Sequence, residues 1–422
     1  MTQDGRPCVG LALAGGGPLG IIYEIGALLA LEEALEGVSF HELPVYVGVS
    51  AGAVVTSALA NGFSPAELCQ LIVLNKSTAF PINPEQFLKP AWHRYVHGLA
   101  TMPRRLFKAA KKSLLRPDDI SPLGAFVNQI FGAIPPGMWD NERIHQFLAT
   151  LYGSRKRSND FRKLKGQLFV VTMNLDTGEI TRFGAPGLDH VPISKAVQAS
   201  TAVPGLFPPV EIDGRYYVDG GVKKTVHAST ALRAGADLLI CVNPLVAFNA
   251  RLANPDHLKN MVSLVEGGMP TVMAQVSRII LHSRMKAGIA RYASAYPNRD
   301  ILLFEPNQRD ADMFFARIFS FDHRRRVCEH AYQTTRNDLR ERQCDLQSLL
   351  SRYGITLRTD ILADRARHFD SHLHIPPEVA RLPGLRHPVT NELSHALDTL
   401  DAWLAHHSAE SEPDQAPRAK AG

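Results

Sequence analysis

Residues 9–58 read VGLALAGGGPLGIIYEIGALLALEEALEGVSFHELPVYVGVSAGAVVTSA. An apolar run, Val9 to Ala14, leads into a glycine cluster, Gly15-Gly16-Gly17-Pro18-Leu19-Gly20. Apolar residues at Ile22, Ile25, Leu28, Leu29 and Leu31 follow with the spacing of one buried helix face, which predicts a helix over Ile21–Leu35. A second apolar run, Val45 to Val49, ends in Gly48-Val49-Ser50-Ala51-Gly52, and another helical pattern starts at once. Strand, glycine loop, helix, strand, sharp turn and helix make a βαβα opening with parallel strands, hence an α/β fold.

Both turns have a chemical use. A serine between two glycines on a strand-to-helix turn sits in a tight bend that pushes its hydroxyl above the sheet, and Gly48 and Gly52 leave room for that bend. The helix after Ser50 turns its positive end toward the hydroxyl. The glycine loop offers backbone N–H groups with no side chains in the way, as an oxyanion hole requires. If the two strands are neighbours, Gly16 and Gly17 come beside Ser50. Gly15-x-Gly17-x-x-Gly20 also fits a dinucleotide fingerprint, but that motif needs an acid at the end of the second strand, and Glu42 lies before it.

Residues 208–221, PPVEIDGRYYVDGG, add a carboxylate: a short β-type run, Arg215 to Val218, closes in Asp219-Gly220-Gly221. An ordinary turn aspartate has the same local sequence. Just upstream, Ala199-Ser200-Thr201-Ala202-Val203-Pro204-Gly205-Leu206-Phe207-Pro208 is a helix end running into a rigid segment.

GGGPLG, GVSAG, ASTAVPGLFPP and DGG, in this order, resemble the patatin-like phospholipases over about residues 8–245. The resemblance implies a three-layer α/β/α sandwich with a mostly parallel central sheet, to which the residue patterns add a helical insertion and a helical C-terminal part. It also implies a hydrolase of lipid acyl esters that uses a Ser–Asp dyad. Ser50 would be the nucleophile and Asp219 the base. Backbone N–H groups among Gly15, Gly16, Gly17, Leu19 and Gly20 would hold the oxyanion, and Gly220 and Gly221 would complete the DGG motif. Two departures stand out: Leu19 where the family often has Arg or Lys, and Lys223-Lys224 where Asn and Pro often follow DGG. Pro18 has no N–H, so donors must come from its neighbours.

The expected organisation is a core over 8–245 with a basic helical insertion at about 61–140. A mostly helical extension, 246–406, completes the core, and 407–422 is a tail without fixed structure. From Gln86 to Pro117 there is no acidic residue, while Lys89, Arg94, Arg104, Arg105, Lys108, Lys111, Lys112 and Arg116 alternate with Phe87, Trp92, Leu106 and Phe107. Such a segment, Lys89–Arg116, suits peripheral contact with an anionic membrane, and equally a solvated basic face. Nucleic acid is a weaker reading, since no binding motif accompanies the charges.

Of 422 residues, 45% are hydrophobic and 21% charged, the balance of a soluble globular protein, and the net charge of +5 decides little. The five cysteines have no paired or zinc-ligand spacing, so reduced thiols and a cytoplasmic location are expected, with any membrane contact at the inner face. MTQDGRPCVG lacks a signal-peptide pattern, and no apolar run reaches 18 residues. No cofactor or metal is expected, as Asp118-Asp119 stands isolated. Among 17 histidines, His227, His190 and His282 are candidates for a Ser–His–Asp triad. Against the triad, the glycine loop precedes the serine by only one helix. A catalytically silent lipid-binding protein on the same fold and a nucleotide-dependent enzyme are the competing readings.

Overall fold

The computed structural model describes residues 7–75, 137–154, 156–249, 251, 265–266, 268–308, 321–371 and 373. Residues 1–373 form one compact unit and 374–422 a second, which lies outside the described residues. Outside them too lie the basic segment Lys89–Arg116, the helical sequence patterns at Leu123–Phe131, Asp312–Phe319 and Asn391–His406, and the tail.

In chain order the elements are β1 (Val9–Leu13), α1 (Gly17–Ala34), β2 (Leu35–Glu36), β3 (Val45–Val49), α2 (Ala51–Ala60), α3 (Pro65–Leu68, continued by a π-helical turn over Cys69–Val73) and α4 (Glu142–Tyr152). Then come β4 (Gln167–Asn174), β5 (Ile180–Phe183), α5 (Ile193–Ser200), β6 (Val210–Ile212), β7 (Arg215–Asp219), α6 (Ala228–Arg233) and β8 (Leu238–Val242). The described chain closes with α7 (Gly268–Ala295), β9 (Asp300–Phe304), α8 (Phe321–Glu341), α9 (Gln343–Ser351), β10 (Thr356–Leu357) and α10 (Thr359–Ala363).

Among the described residues the main sheet has eight strands. β4, β3, β1, β8 and β9 run parallel in that order, while β5 and β7 pair antiparallel to β4, and β6 to β7. β1, β3 and β8 are buried at every position, which is why they read as unbroken apolar runs: each face is covered. Alternate residues go to opposite sides. Leu11, Leu13, Tyr46 and Ile240 pack with α1, α2, α5 and α8. Ala12, Val45, Val47, Val49 and Cys241 pack with Ala231 of α6 and with Met285 and Tyr292 of α7. The result is a helix layer, a sheet and a second helix layer.

The spacing in α1 predicts one buried face, but the helix is buried on nearly all sides. The reason is α8, which packs outside α1 and sends Val327, Cys328, Ala331 and Tyr332 into the same core. Gly26 permits the close crossing: a methyl there would stand 2.3 Å from the Cys328 carbonyl oxygen. The helix also starts at Gly17, four residues before the expected Ile21, because Gly17 and Pro18 occupy its first positions, where a missing N–H costs nothing.

Candidate active site

The register of β4 brings two distant segments together. Val49, the last residue of β3, pairs with Val171, and Asp219, the last residue of β7, pairs with the next residue, Thr172. β5 already pairs with Val170–Met173, so β3 and β7 share the opposite edge of β4. One runs parallel to β4 and the other antiparallel, so their C-terminal ends meet head-on. Ser50, leaving β3, therefore meets Asp219, leaving β7.

The two side chains are close: the Ser50 hydroxyl favours the ionised form of the Asp219 carboxyl. Asp219 Oδ1 also accepts the Gly221 N–H at 2.7 Å, and the Asp219 N–H donates to the Ala202 carbonyl at 3.0 Å. Both side chains sit in the interior, each residue 5% exposed. Burial pushes the Asp219 carboxyl up to about 6, against the opposing pull of the Ser50 hydroxyl and the Gly221 N–H.

Ser50 has φ 53° and ψ −119°, a conformation uncommon for a side-chain-bearing residue. Such strain costs on the order of 1–3 kcal/mol and persists only where neighbours over-determine it. Here they do. The Ser50 N–H donates to Ser200 Oγ at 2.8 Å, and Ser200 Oγ donates to the Val171 carbonyl at 2.7 Å. The Gly52 N–H ties the bend to the end of β1 through the Ala14 carbonyl at 3.0 Å. A methyl at Gly52 would stand 2.5 Å from the Leu13 backbone, and one at Gly48 2.1 Å from Thr56 Oγ1. The Gly-x-Ser-x-Gly spacing is thus set by close packing on both sides of the serine.

The glycine loop lies alongside because β1 and β3 pair in parallel. A methyl on Gly15 would stand 3.1 Å from Ser50 Cβ and 3.7 Å from its Oγ. Gly17, at φ 61°, begins α1. The first-turn N–H groups of Gly17 and Leu19 have no acceptor within the helix, and Pro18 has no N–H. The Gly20 N–H donates to the Gly16 carbonyl at 3.0 Å.

None of the three histidines joins the pair. His227 is buried, with Nε2 3.4 Å from the Gly220 carbonyl, and burial pushes it down to about 3, so it is neutral. His190 pairs with Asp213 at 3.0 Å, and His282 with Gln308 at 3.2 Å. A cleft of about 610 Å³ lined by Asp140, Glu142, Lys195, Gln198 and Tyr216 contains neither Ser50 nor Asp219. Among the described residues no group of His, Cys, Asp and Glu has metal-binding geometry. Ser200 is the residue that sequence reasoning left without a role. Its signal is a small polar residue in the last turn of a helix that stops at the rigid Pro204-Gly205 segment.

A strand-turn-helix serine, a strand-end aspartate beside it and a glycine loop against its side chain define an α/β protein with a buried Ser–Asp pair. The patatin-like phospholipase family model matches residues 11–232, and the chain belongs to that family. It is similar to the uncharacterized protein R571 of Acanthamoeba polyphaga mimivirus, with 22% identity over 214 residues. That match takes in 50% of this chain and only 57% of the relative. Among solved structures, VipD from Legionella pneumophila is 18% identical, covering 81% of this chain and 69% of that one, with a TM-score of 0.37. The type III effector ExoU of Pseudomonas aeruginosa is 16% identical, covering 80% and 53%, at 0.34. Human GIVD cytosolic phospholipase A2, solved with methyl gamma-linolenyl fluorophosphonate, is 14% identical, covering 80% and 59%, at 0.30.

Proposed function

We propose that this chain is a serine acyl hydrolase of lipid esters, of the phospholipase A type, acting through a Ser50–Asp219 dyad. The observation that carries the reading is the meeting of buried Ser50 and Asp219 at one edge of β4, with the glycine loop against the serine. Ser50 Oγ attacks the acyl carbonyl carbon as Asp219 takes its proton. The carbonyl π pair moves onto oxygen, where the N–H groups of Gly16, Gly17 and Leu19 hold it. Each such donor is worth about 3–4 kcal/mol at the transition state. Collapse of the tetrahedral intermediate expels the alcohol, which receives the proton from Asp219. Water, deprotonated by Asp219, then attacks the acyl-serine and restores the free hydroxyl.

A carboxylate is a weak base for a hydroxyl. The upward shift of Asp219 narrows that gap while leaving it ionised above about 6. The basic segment Lys89–Arg116 is proposed as a contact with anionic membrane, with the protein peripheral to the inner face. The test is hydrolysis of a short p-nitrophenyl ester and a fluorogenic phospholipid by wild type, Ser50→Ala and Asp219→Asn, together with fluorophosphonate labelling of wild type. Activity and labelling that vanish in Ser50→Ala, with activity lost in Asp219→Asn, support the dyad. A wild type that neither hydrolyses nor labels, yet binds liposomes, would favour a catalytically silent lipid-binding protein.

A further inference from the structure

Helix α7 is built inside out along half its length. In its C-terminal half, Met285 and Tyr292 are buried in the core beneath the sheet, Ile289 packs against them, and Arg284, Lys286 and Arg291 face solvent. This is the ordinary arrangement of a helix on a sheet. In its N-terminal half the sides exchange. The inward positions are polar: Gln275 Nε2 donates to the Phe248 carbonyl at 2.7 Å, and buried His282 bonds Gln308 at 3.2 Å. The outward positions are Val272, Met273, Val276, Ile279 and Ile280, 39–56% exposed. Their spacing of i, i+1, i+4, i+7 and i+8 makes one continuous apolar stripe. Scattered exposed apolar residues are ordinary, but a contiguous stripe on one helix face marks an interface.

The stripe stands at the catalytic end of the sheet. Phe248 and Gln308 lie in the loops that leave the C-terminal ends of β8 and β9, the same end at which Ser50 leaves β3. The chain just after Asp219 runs beside the helix, with Thr225 Oγ1 3.4 Å from the Leu281 carbonyl. On that run Val222 is 48% exposed, and Lys223 and Lys224 face solvent.

Charge identifies the partner. From Gly267 to Arg299 there is no Asp or Glu, while Arg284, Lys286 and Arg291 are exposed cations on the helix; Arg299 is paired with Asp237. A protein partner would need an acidic rim around an apolar strip, whereas an anionic bilayer presents both over any area. No described helix is long and apolar enough to cross a membrane, so the helix would lie in the interface. We propose that the N-terminal half of α7, with Val222 beside it, docks this protein on anionic lipid, with Arg284 and Lys286 at the headgroup level and the Ser50 end of the sheet facing the bilayer. The proposal takes from the hydrolase reading only which end of the sheet matters.

The test uses full-length protein carrying Ser50→Ala, so that binding is read without turnover, and vesicles of phosphatidylcholine and phosphatidylglycerol. Ile279→Glu with Ile280→Glu should lower the vesicle partition coefficient roughly tenfold or more, since both side chains are about half exposed on the stripe. The same pair of changes in the active enzyme should leave hydrolysis of a soluble short ester unchanged. An environment-sensitive dye on Ile279→Cys, in a Cys344→Ser background, should brighten with vesicles, and one on Ala290→Cys should not. Undiminished partition with a silent dye at 279 would overturn the proposal and move the contact elsewhere, to Lys89–Arg116 for one. Sedimentation velocity without lipid that shows a wild-type dimer, broken by the double change, would overturn it in favour of a second copy on the stripe. Vesicle binding that depends on the stripe in a protein without esterase activity would sink the hydrolase reading and leave this one standing.

Discussion

Ser200 Oγ holds the Ser50 backbone N–H at 2.8 Å and passes a hydrogen bond on to the Val171 carbonyl at 2.7 Å. It fills the notch where β3 leaves the edge of β4, and satisfies two buried backbone groups that the turn would otherwise strand. Ser200→Ala removes both bonds and leaves an N–H and a carbonyl unpaired, at a cost of about 1–3 kcal/mol in stability. The larger effect falls on geometry. Ser50 is held at φ 53° by its surroundings, and relaxation of the turn shifts Oγ relative to the glycine loop. Shifts of that kind cost up to about 10²-fold in rate. Soluble-ester kinetics should show a fall in kcat with little change in KM, and urea denaturation should show the stability loss. Unchanged kinetics in a destabilised protein would reduce Ser200 to a packing residue.

Asp219 makes the proposed site dependent on pH in two measurable ways. As base it must be ionised, so kcat/KM should rise through an acid limb near 6, where burial has pushed its carboxyl. Stability runs the other way. The native carboxyl binds its proton more tightly than the ordinary value of 3.8. Its contribution is therefore fully present below about 4 and is lost as pH rises through about 6, by up to about 3 kcal/mol. Asp219→Asn carries no charge to bury and can still accept the Gly221 N–H. It should be inactive, more stable than wild type at pH 8, and no more stable at pH 4. Thermal melts at the two pH values decide this: an advantage that does not shrink toward pH 4 rules out the buried charge as its cause.

His227 tests dyad against triad. Its ring Nε2 lies 3.4 Å from the Gly220 carbonyl, and the imidazole is neutral through the whole working range. His227→Gln preserves a polar ring-sized group in a buried site, avoiding the cavity that Ala would leave. Its kcat/KM should stay within a few-fold of wild type, and the acid limb near 6 should survive, because that limb belongs to Asp219. Disappearance of the limb in a folded His227→Gln protein would assign it to the imidazole and bring back the triad.

The opening β1–α1–β3–α2 unit is legible in the sequence because its information is local: buried parallel strands read as apolar runs, and Gly16, Gly48 and Gly52 sit where backbone or side chains crowd them. Ser50 and Asp219 are visible as a turn serine and a strand-end carboxylate. Their meeting is not, since it depends on β3 and β7 sharing one edge of β4, a register fact spread over 170 positions. The full burial of α1 is hidden for a similar reason, as the covering helix α8 lies some 300 residues away. The pattern over His323–Leu350 reads as one helix, but α8 ends at Glu341 and α9 begins at Gln343, a break in the backbone at Arg342 that apolar spacing does not register. β6, β2 and β10 are two or three residues long and leave too short a pattern to find.

Glu24 is the sequence's least explained polar residue. It lies in the middle of α1, fully buried, and neither carboxylate oxygen has a hydrogen-bond partner among the described residues. Burial alone raises its carboxyl well above the ordinary carboxylate range, so the native state holds it protonated where the unfolded chain has released the proton. Its contribution to stability is therefore present below about 4.5 and is lost as pH rises. Even protonated, a buried carboxyl without a partner costs about 1–3 kcal/mol. Glu24→Met fills nearly the same volume without a polar group. It should raise the melting temperature at pH 5 and raise it further at pH 9, while soluble-ester kinetics stay unchanged, since no contact joins Glu24 to Ser50 or Asp219. A stabilisation independent of pH would mean that the carboxyl is neutral across the range and only its unpaired oxygens matter. A loss of stability at every pH would mean that the carboxyl is satisfied in solution, by water held in the core.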